Sequence, residues 1–171
     1  MTAAAEFAGN VYGALISEQL TQERARKASI EQRGITIVTS SGALVTLLFA
    51  LPALATKAQA TYVLPEPARW LLVACVALFI LASLAGLATN FPMAYREVTG
   101  SAFDKLVTPE AWTKDKTAAD RRAAAARVAM IKSGRTINSA KAWFLIVGLF
   151  FEVLAVIVLA LAAANILLTT S

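Results

Sequence analysis

One carboxylate stands inside an otherwise apolar run: Glu152 is the only ionisable residue between Trp143 and Leu168. A charged, unpaired acid near the centre of a membrane span costs about 2.5–3.5 kcal/mol on insertion scales. Such a group has to be neutralised, paired, or set against water inside an assembly. An earlier apolar run, Ile35 to Leu54, carries the groups that can meet it: Thr36, Thr39, Ser40, Ser41 and Thr46. Thr36, Thr39, Ser40, Ala43 and Leu47 fall at i, i+3, i+4, i+7 and i+11, so one helical face is small and hydroxylated. A face of that kind suits the wall of a water-filled cation path in an oligomer. It suits close helix packing equally, because small residues admit a neighbour and hydroxyls bond to its carbonyls. The residues assigned to a polar path are Glu152, Thr39, Ser40, Thr46 and Asn138.

Other chemistry is excluded by what is missing. The 171 residues contain no His and a single Cys, Cys75, within an apolar run. One chain therefore holds no zinc set of the Cys/His kind, no disulfide and no Ser–His–Asp triad. Neither a GxGxxG nor a GxxxxGK[ST] phosphate loop occurs. No enzyme activity, cofactor or metal is expected.

The elements that must position these residues follow from composition. Hydrophobic residues make up 58% of the chain, and the mean hydropathy is +0.64. Soluble domains are about 45–50% apolar. The pattern predicts an all-α integral membrane protein with three transmembrane helices and helices extended into the cytoplasm. A charged amphipathic helix occupies 1–34, with Phe7, Val11 and Leu15 at i, i+4 and i+8, widened by Tyr12 and Ile16. Its apolar face is set to lie on headgroups, on a partner, or on the other cytoplasmic helix of the same chain. Glu23 and Lys27 form an i,i+4 pair in the favourable order. The acids Glu6, Glu18, Glu23 and Glu31 are incompatible with a cleaved signal peptide, so the first apolar run is expected to stay as an anchor.

The first span covers 35–56, with Pro52 near its outer end. An outer loop at 57–69 contains LPEP, which favours an extended turn. The second span, 70–90, closes at Asn90-Phe91-Pro92. Residues 91–116 read as irregular with short helices, one at 101–107 and another begun at Pro109 behind a Thr108 cap. From 117 to 168 one long basic helix, opened by Thr117 and Asp120 as a capping box, runs without a break into the third span. The whole reads as a single domain.

Orientation comes from the cations. Four Lys or Arg precede the first span, two lie in the 57–69 loop, and ten lie between 91 and 141. The positive-inside rule then places the N-terminus in the cytoplasm and the C-terminus outside a bacterial inner membrane. The net charge of +5 is explained by orientation, and nucleic acid is not expected as a partner.

The third span carries a seven-residue order. Gly134, Lys141, Gly148, Ala155 and Ala162 recur at that period. Asn138, Leu145, Glu152, Leu159 and Ile166 form a second row offset by four. These are the a and d positions of a helix seam with small a residues, and Lys141, Gly148, Ala155 and Ala162 are assigned to an oligomer contact. Candidate partners for Glu152 within one copy are the hydroxyls of the first span, or Asn90. The basic face Arg121, Arg122, Arg127, Lys132 and Arg135 either docks anionic lipid or a cytoplasmic protein partner, or is a solvated face that enforces topology.

The order of parts resembles small membrane effectors of bacterial nucleotide-signalling defence systems, the SLATT and Pycsar-type transmembrane families. The resemblance rests on ERARKASIEQRG leading into a hydroxyl-rich span, a second span ending in TNFP, and SGRTINSAKAWF leading back to the membrane. It covers most of the chain and implies a bacterial, actinobacterial-looking membrane effector with a role in antiviral defence. Three spans depart from the two-span plan of SLATT proteins. No nucleotide-sensing domain is visible, so a nucleotide trigger implies a second chain. The expected function is a homo-oligomeric inner-membrane pore or membrane-perturbing effector, gated through its cytoplasmic helical bundle. The alternative is a non-conducting scaffold or accessory subunit that binds a partner or anionic lipid through its basic helix.

Overall fold

The computed structural model describes residues 3–58, 65–94, 104, 108–112 and 115–170; side chains 3–8, 50–58, 112, 167 and 169–170 lie outside the description. All regular structure among the described residues is helical. Four helices follow in order: α1 (Ala3–Ala58), α2 (Glu66–Ala88), α3 (Pro109–Trp112) and α4 (Lys116–Thr170).

α1 runs for 56 residues with no interruption between its charged and apolar halves. The expected boundary at residue 34 is absent because Gly34 sits mid-helix without positive φ. The first Pro is Pro52, and α1 continues through it to Ala58. α2 starts earlier than expected. Pro65 is extended (φ −56, ψ 141), and Glu66 already lies in the helix with a Pro in its first two positions. Pro is tolerated there because the first-turn N–H has no helical acceptor anyway. Of LPEP, Pro65 is extended and Glu66 and Pro67 are helical, while Leu64 lies outside the described residues.

The helix expected at 101–107 lies outside the described residues, Asp104 excepted. α3 begins at Pro109, with the amide of Ala111 donating to the carbonyl of Thr108 at 3.0 Å. α4 starts one residue before Thr117, and the amides of Ala118 and Ala119 both donate to the Asp115 carbonyl. Thr117, the expected cap, therefore belongs to the first turn, and Asp115 precedes the helix instead.

The chain divides into two compact units, where the sequence read as a single domain. One comprises Met1–Ser29 with Pro92–Ala140, the other Ile30–Phe91 with Lys141–Ser171. Each combines a segment of α1 with a segment of α4. The first, polar unit is joined by side-chain hydrogen bonds. The second is joined by apolar packing in two clusters. Leu48, Cys75, Phe79 and Ala155 form one, surrounded by Leu44, Val76, Val158 and Leu159. Ile37, Ala82 and Leu145 form the other, with Phe151 beside it.

Within this second unit α1 and α2 approach backbone to backbone. A Cβ on Gly34 would stand 2.7 Å from the Gly86 carbonyl oxygen and would overlap Thr89 Oγ1. One on Gly86 would stand 2.8 Å from the Gly34 carbonyl oxygen. At Gly148 on α4 an added Cβ would meet Ile37 Cδ1 at 3.3 Å and the Ala82 carbonyl oxygen at 3.4 Å. α1 and α2 are antiparallel here, since Gly34 meets Gly86 while Leu48 meets Cys75 and Phe79. α1 and α4 are parallel, since Glu31 meets Lys141 and Ser40 meets Glu152. Small residues at crossings let helices come close enough for dispersion contacts to accumulate.

Candidate functional site: a polar lining within an apolar helix unit

Among the described residues two helices are long and apolar enough to cross a membrane, α2 and, within Lys116–Ile166, α4. Only 22% of the most apolar stretch of α2 is buried, and 17% of that of α4. A core helix of a soluble protein would be mostly covered. Trp70, Val73, Leu84, Phe150, Val153 and Leu161 are instead more than half exposed. An apolar surface of this extent needs a covering, and two helices of this length fit a bilayer.

Inside that unit Glu152 is half-buried, and Ser40 Oγ donates to its Oε1. Of the partners expected for Glu152, a first-span hydroxyl is the one found. Asn90 is occupied elsewhere: its Nδ2 lies 3.4 Å from the Glu31 carbonyl oxygen and 3.2 Å from Thr89 Oγ1. Ser40 Oγ also lies 2.9 Å from the Thr36 carbonyl oxygen and 3.1 Å from that of Ile37. A hydroxyl has one proton. The bond to Glu152 therefore competes with two acceptors on its own helix.

The remaining hydroxyls of the polar face point outward. Thr36, Thr39 and Thr46 are exposed, as are Gly42, Ala43 and Leu47. Thr36 bonds to the Gln32 carbonyl, Thr39 to that of Thr36, and Thr46 to that of Gly42. The face that packs inward is the opposite one: Ile30, Gly34, Ile37, Ser41 and Leu48. Ser41 is fully buried, and its hydroxyl has no hydrogen-bond partner among the described residues.

The seven-residue rows are filled by the chain's own helices. Gly148 packs on α1 and α2, Ala155 lies in the cluster with Leu48, Cys75 and Phe79, and Ala162 is fully buried. Cys75 is buried as well, with Sγ 3.4 Å from the Ala155 carbonyl oxygen. Lys141 contributes a charge to this row. Its side chain is 1% exposed, and Nζ lies 2.6 Å from Glu31 Oε1. This buried ion pair was not foreseen; the signal available was a Lys on a row of small residues and an acid in ERARKASIEQRG. An isolated lysine on a buried row demands an acidic partner, because an ammonium without one is costly to desolvate.

In the polar unit, Asn138 is 1% exposed and its Nδ2 donates to both the carbonyl and the carboxylate of Glu23, at 3.1 Å each. Arg135 Nε pairs with Glu23 Oε1 at 3.1 Å, and its Nη2 donates to Gln19 Oε1 at 3.0 Å. Glu23 is thus engaged across to α4. Arg127 Nη1 donates to Ser17 Oγ at 3.0 Å. Arg127 and Arg135 therefore bind the unit's own helices together, while Arg121, Arg122 and Lys132 face outward. Val11, Tyr12 and Leu15 of α1 are 57%, 64% and 53% exposed and Ile16 is half-buried, so this part of the expected apolar face is left largely uncovered among the described residues; the Phe7 side chain lies outside them. Beside it opens a groove of about 790 Å³, with Gly13, Ala14 and Ala124 leaving space and Asp120, Arg121 and Arg127 at its walls.

Among the described residues no group of three His, Cys, Asp or Glu is placed to hold a metal ion. Compared with family models, curated proteins and solved structures, the chain matches none. What the fold and the lining define is therefore a class by chemistry: a helical protein with two helices able to span a membrane and an acid–hydroxyl pair inside its apolar unit.

Proposed function

We propose that this chain is a bacterial inner-membrane protein that crosses the bilayer three times and assembles with copies of itself into a pore or membrane-perturbing effector. The N-terminus and the polar unit lie in the cytoplasm, and the C-terminus lies outside. One observation carries the reading: the hydroxylated face of α1 points away from the chain's own core, with Glu152 at its edge through Ser40. In an oligomer that face closes against other copies, and hydroxyls with an acid among them favour cations over anions. Since the seam of α4 is occupied within the chain, the contact between copies falls on the Thr36–Thr39–Ala43–Leu47 face. Gating through the polar unit is supported by the uncovered Val11, Tyr12 and Leu15. By its resemblance to nucleotide-signalling effectors, the trigger is a second chain.

Planar-bilayer recording tests this directly. The wild-type protein should conduct cations, and Glu152→Gln should reduce selectivity while Glu152→Asp preserves it. Full conductance and selectivity in Glu152→Gln, or a monomer after purification in detergent, would remove the pore reading. A scaffold role is favoured by one observation, the outward Arg121, Arg122 and Lys132. Reversing those three charges should then release a bound partner and leave any conductance intact.

A further inference from the structure

A groove of about 580 Å³ opens in the apolar unit between the end of α1 and the start of α2. Leu48 and Phe49 form its α1 wall. On α2 its lining runs from Arg69 through Leu72 and Val76 to Ile80, at i, i+3, i+7 and i+11. Its floor is apolar: Leu48 is 4% exposed, and Leu72 and Val76 are half-buried. Phe49, Val73 and Ile80 stand out as ridges at 62%, 60% and 53% exposed, while Ala77 leaves the middle open. Among the described residues Arg69 is the one charged side chain that lines it.

We propose that this groove binds an anionic phospholipid, with one acyl chain along the α2 stripe and the headgroup phosphate on Arg69. From Arg69 to Ile80 the helix rises about 16 Å at 1.5 Å per residue. That is close to one leaflet, half of a hydrocarbon core of about 30 Å. The charge sits at one end of the stripe, where a lipid of that leaflet carries its phosphate. A guanidinium meets a phosphate through paired N–H donors. A helix from a second copy fits less well, because close helix contact wants small residues and three large side chains rim this groove. The inference rests on the membrane reading above.

The test is the melting temperature Tm of the full chain in detergent, with lipid retention read by native mass spectrometry. Phosphatidylglycerol should raise Tm and stay bound, whereas phosphatidylcholine with the same acyl chains should do neither. Arg69→Gln should lower the preference for the anionic lipid by about five-fold, the change expected of one cation near a surface. Arg69→Lys should keep most of that preference. Ala77→Trp, a change at an exposed position, should abolish retention of phosphatidylglycerol while helix content stays unchanged, and it carries the test if Arg69→Gln does not fold. Equal stabilisation by the two lipids, or by glycerol phosphate alone, would overturn the inference, as would dimerisation through this face. Failure of the membrane reading would show separately, as protein released from membranes by an alkaline wash.

Discussion

The acid and its hydroxyl illustrate how single residues are constrained here. Ser40 sits on the border between the packed and outward faces of α1, which is why it alone of the expected hydroxyls reaches Glu152. Its neighbour Ser41 is buried with no partner for its hydroxyl among the described residues. Ser41→Ala should therefore be neutral or raise stability by about 1 kcal/mol, measured by thermal unfolding in detergent. The two mid-helix glycines of α1 should behave oppositely. Gly34→Ala drives a Cβ into the Gly86 carbonyl oxygen, backbone that cannot step aside, and into the buried Thr89 side chain, and should cost about 1–3 kcal/mol. Gly42→Ala meets open space within 4 Å and should gain up to about 1 kcal/mol from helix propensity. Equal effects at the two sites would contradict the close approach of α1 and α2. At the buried ion pair, Glu31→Gln leaves the Lys141 ammonium without its carboxylate and should destabilise by about 3 kcal/mol, with Glu31→Gln/Lys141→Met recovering most of the loss.

At the level of elements, α1 and α4 associate by different physics in the two units. In the polar unit the joints are hydrogen bonds and an ion pair on Glu23, Arg135, Asn138, Ser17 and Arg127. Glu23→Ala removes an acceptor from the buried Asn138 amide and the partner of Arg135 together. It should loosen this unit by about 1–3 kcal/mol, seen as faster amide hydrogen exchange around residues 19–29 and 127–138. In the apolar unit the joint is mainly shape, with Gly148 and Ala155 facing Ile37, Ala82 and Phe79, joined by the Glu31–Lys141 ion pair and the Ser40–Glu152 hydrogen bond. Gly148→Leu should abolish the compact unit, as loss of its cooperative thermal transition would show. The period of seven in α4 was legible because it needs only residue sizes along one helix. What covers the seam was not legible, because a row of small residues looks the same whether its neighbour belongs to the same copy or another.

The molecule as a whole leaves a large apolar surface uncovered, as a membrane protein does. α2 and α4 are apolar over long stretches and mostly unburied, the reverse of a soluble core. The orientation proposed from the cation count is one that cysteine labelling can read. In a Cys75→Ser background, a thiol at Glu66→Cys should react with an impermeant reagent from outside intact cells, and one at Ala125→Cys only after lysis. Reaction of both from the same side would overturn the three-span topology.

Some features of this protein were determined by sequence alone, because they depend on neighbours along one helix. The all-helical character, the apolar runs, the hydroxyl face of α1, the seven-residue row and the isolation of Glu152 are all of this kind. Tertiary structure decided the pairings between residues far apart in the chain: Ser40 with Glu152, Lys141 with Glu31, Asn138 with Glu23, and Gly34 against Gly86. Helical periodicity says which residues share a face, but the rotation of one helix about another is set by where small residues permit approach. Here the Gly34–Gly86 crossing and the small row of α4 set that rotation in the apolar unit. It turns Ser40 toward the acid and leaves Thr36, Thr39 and Thr46 facing outward.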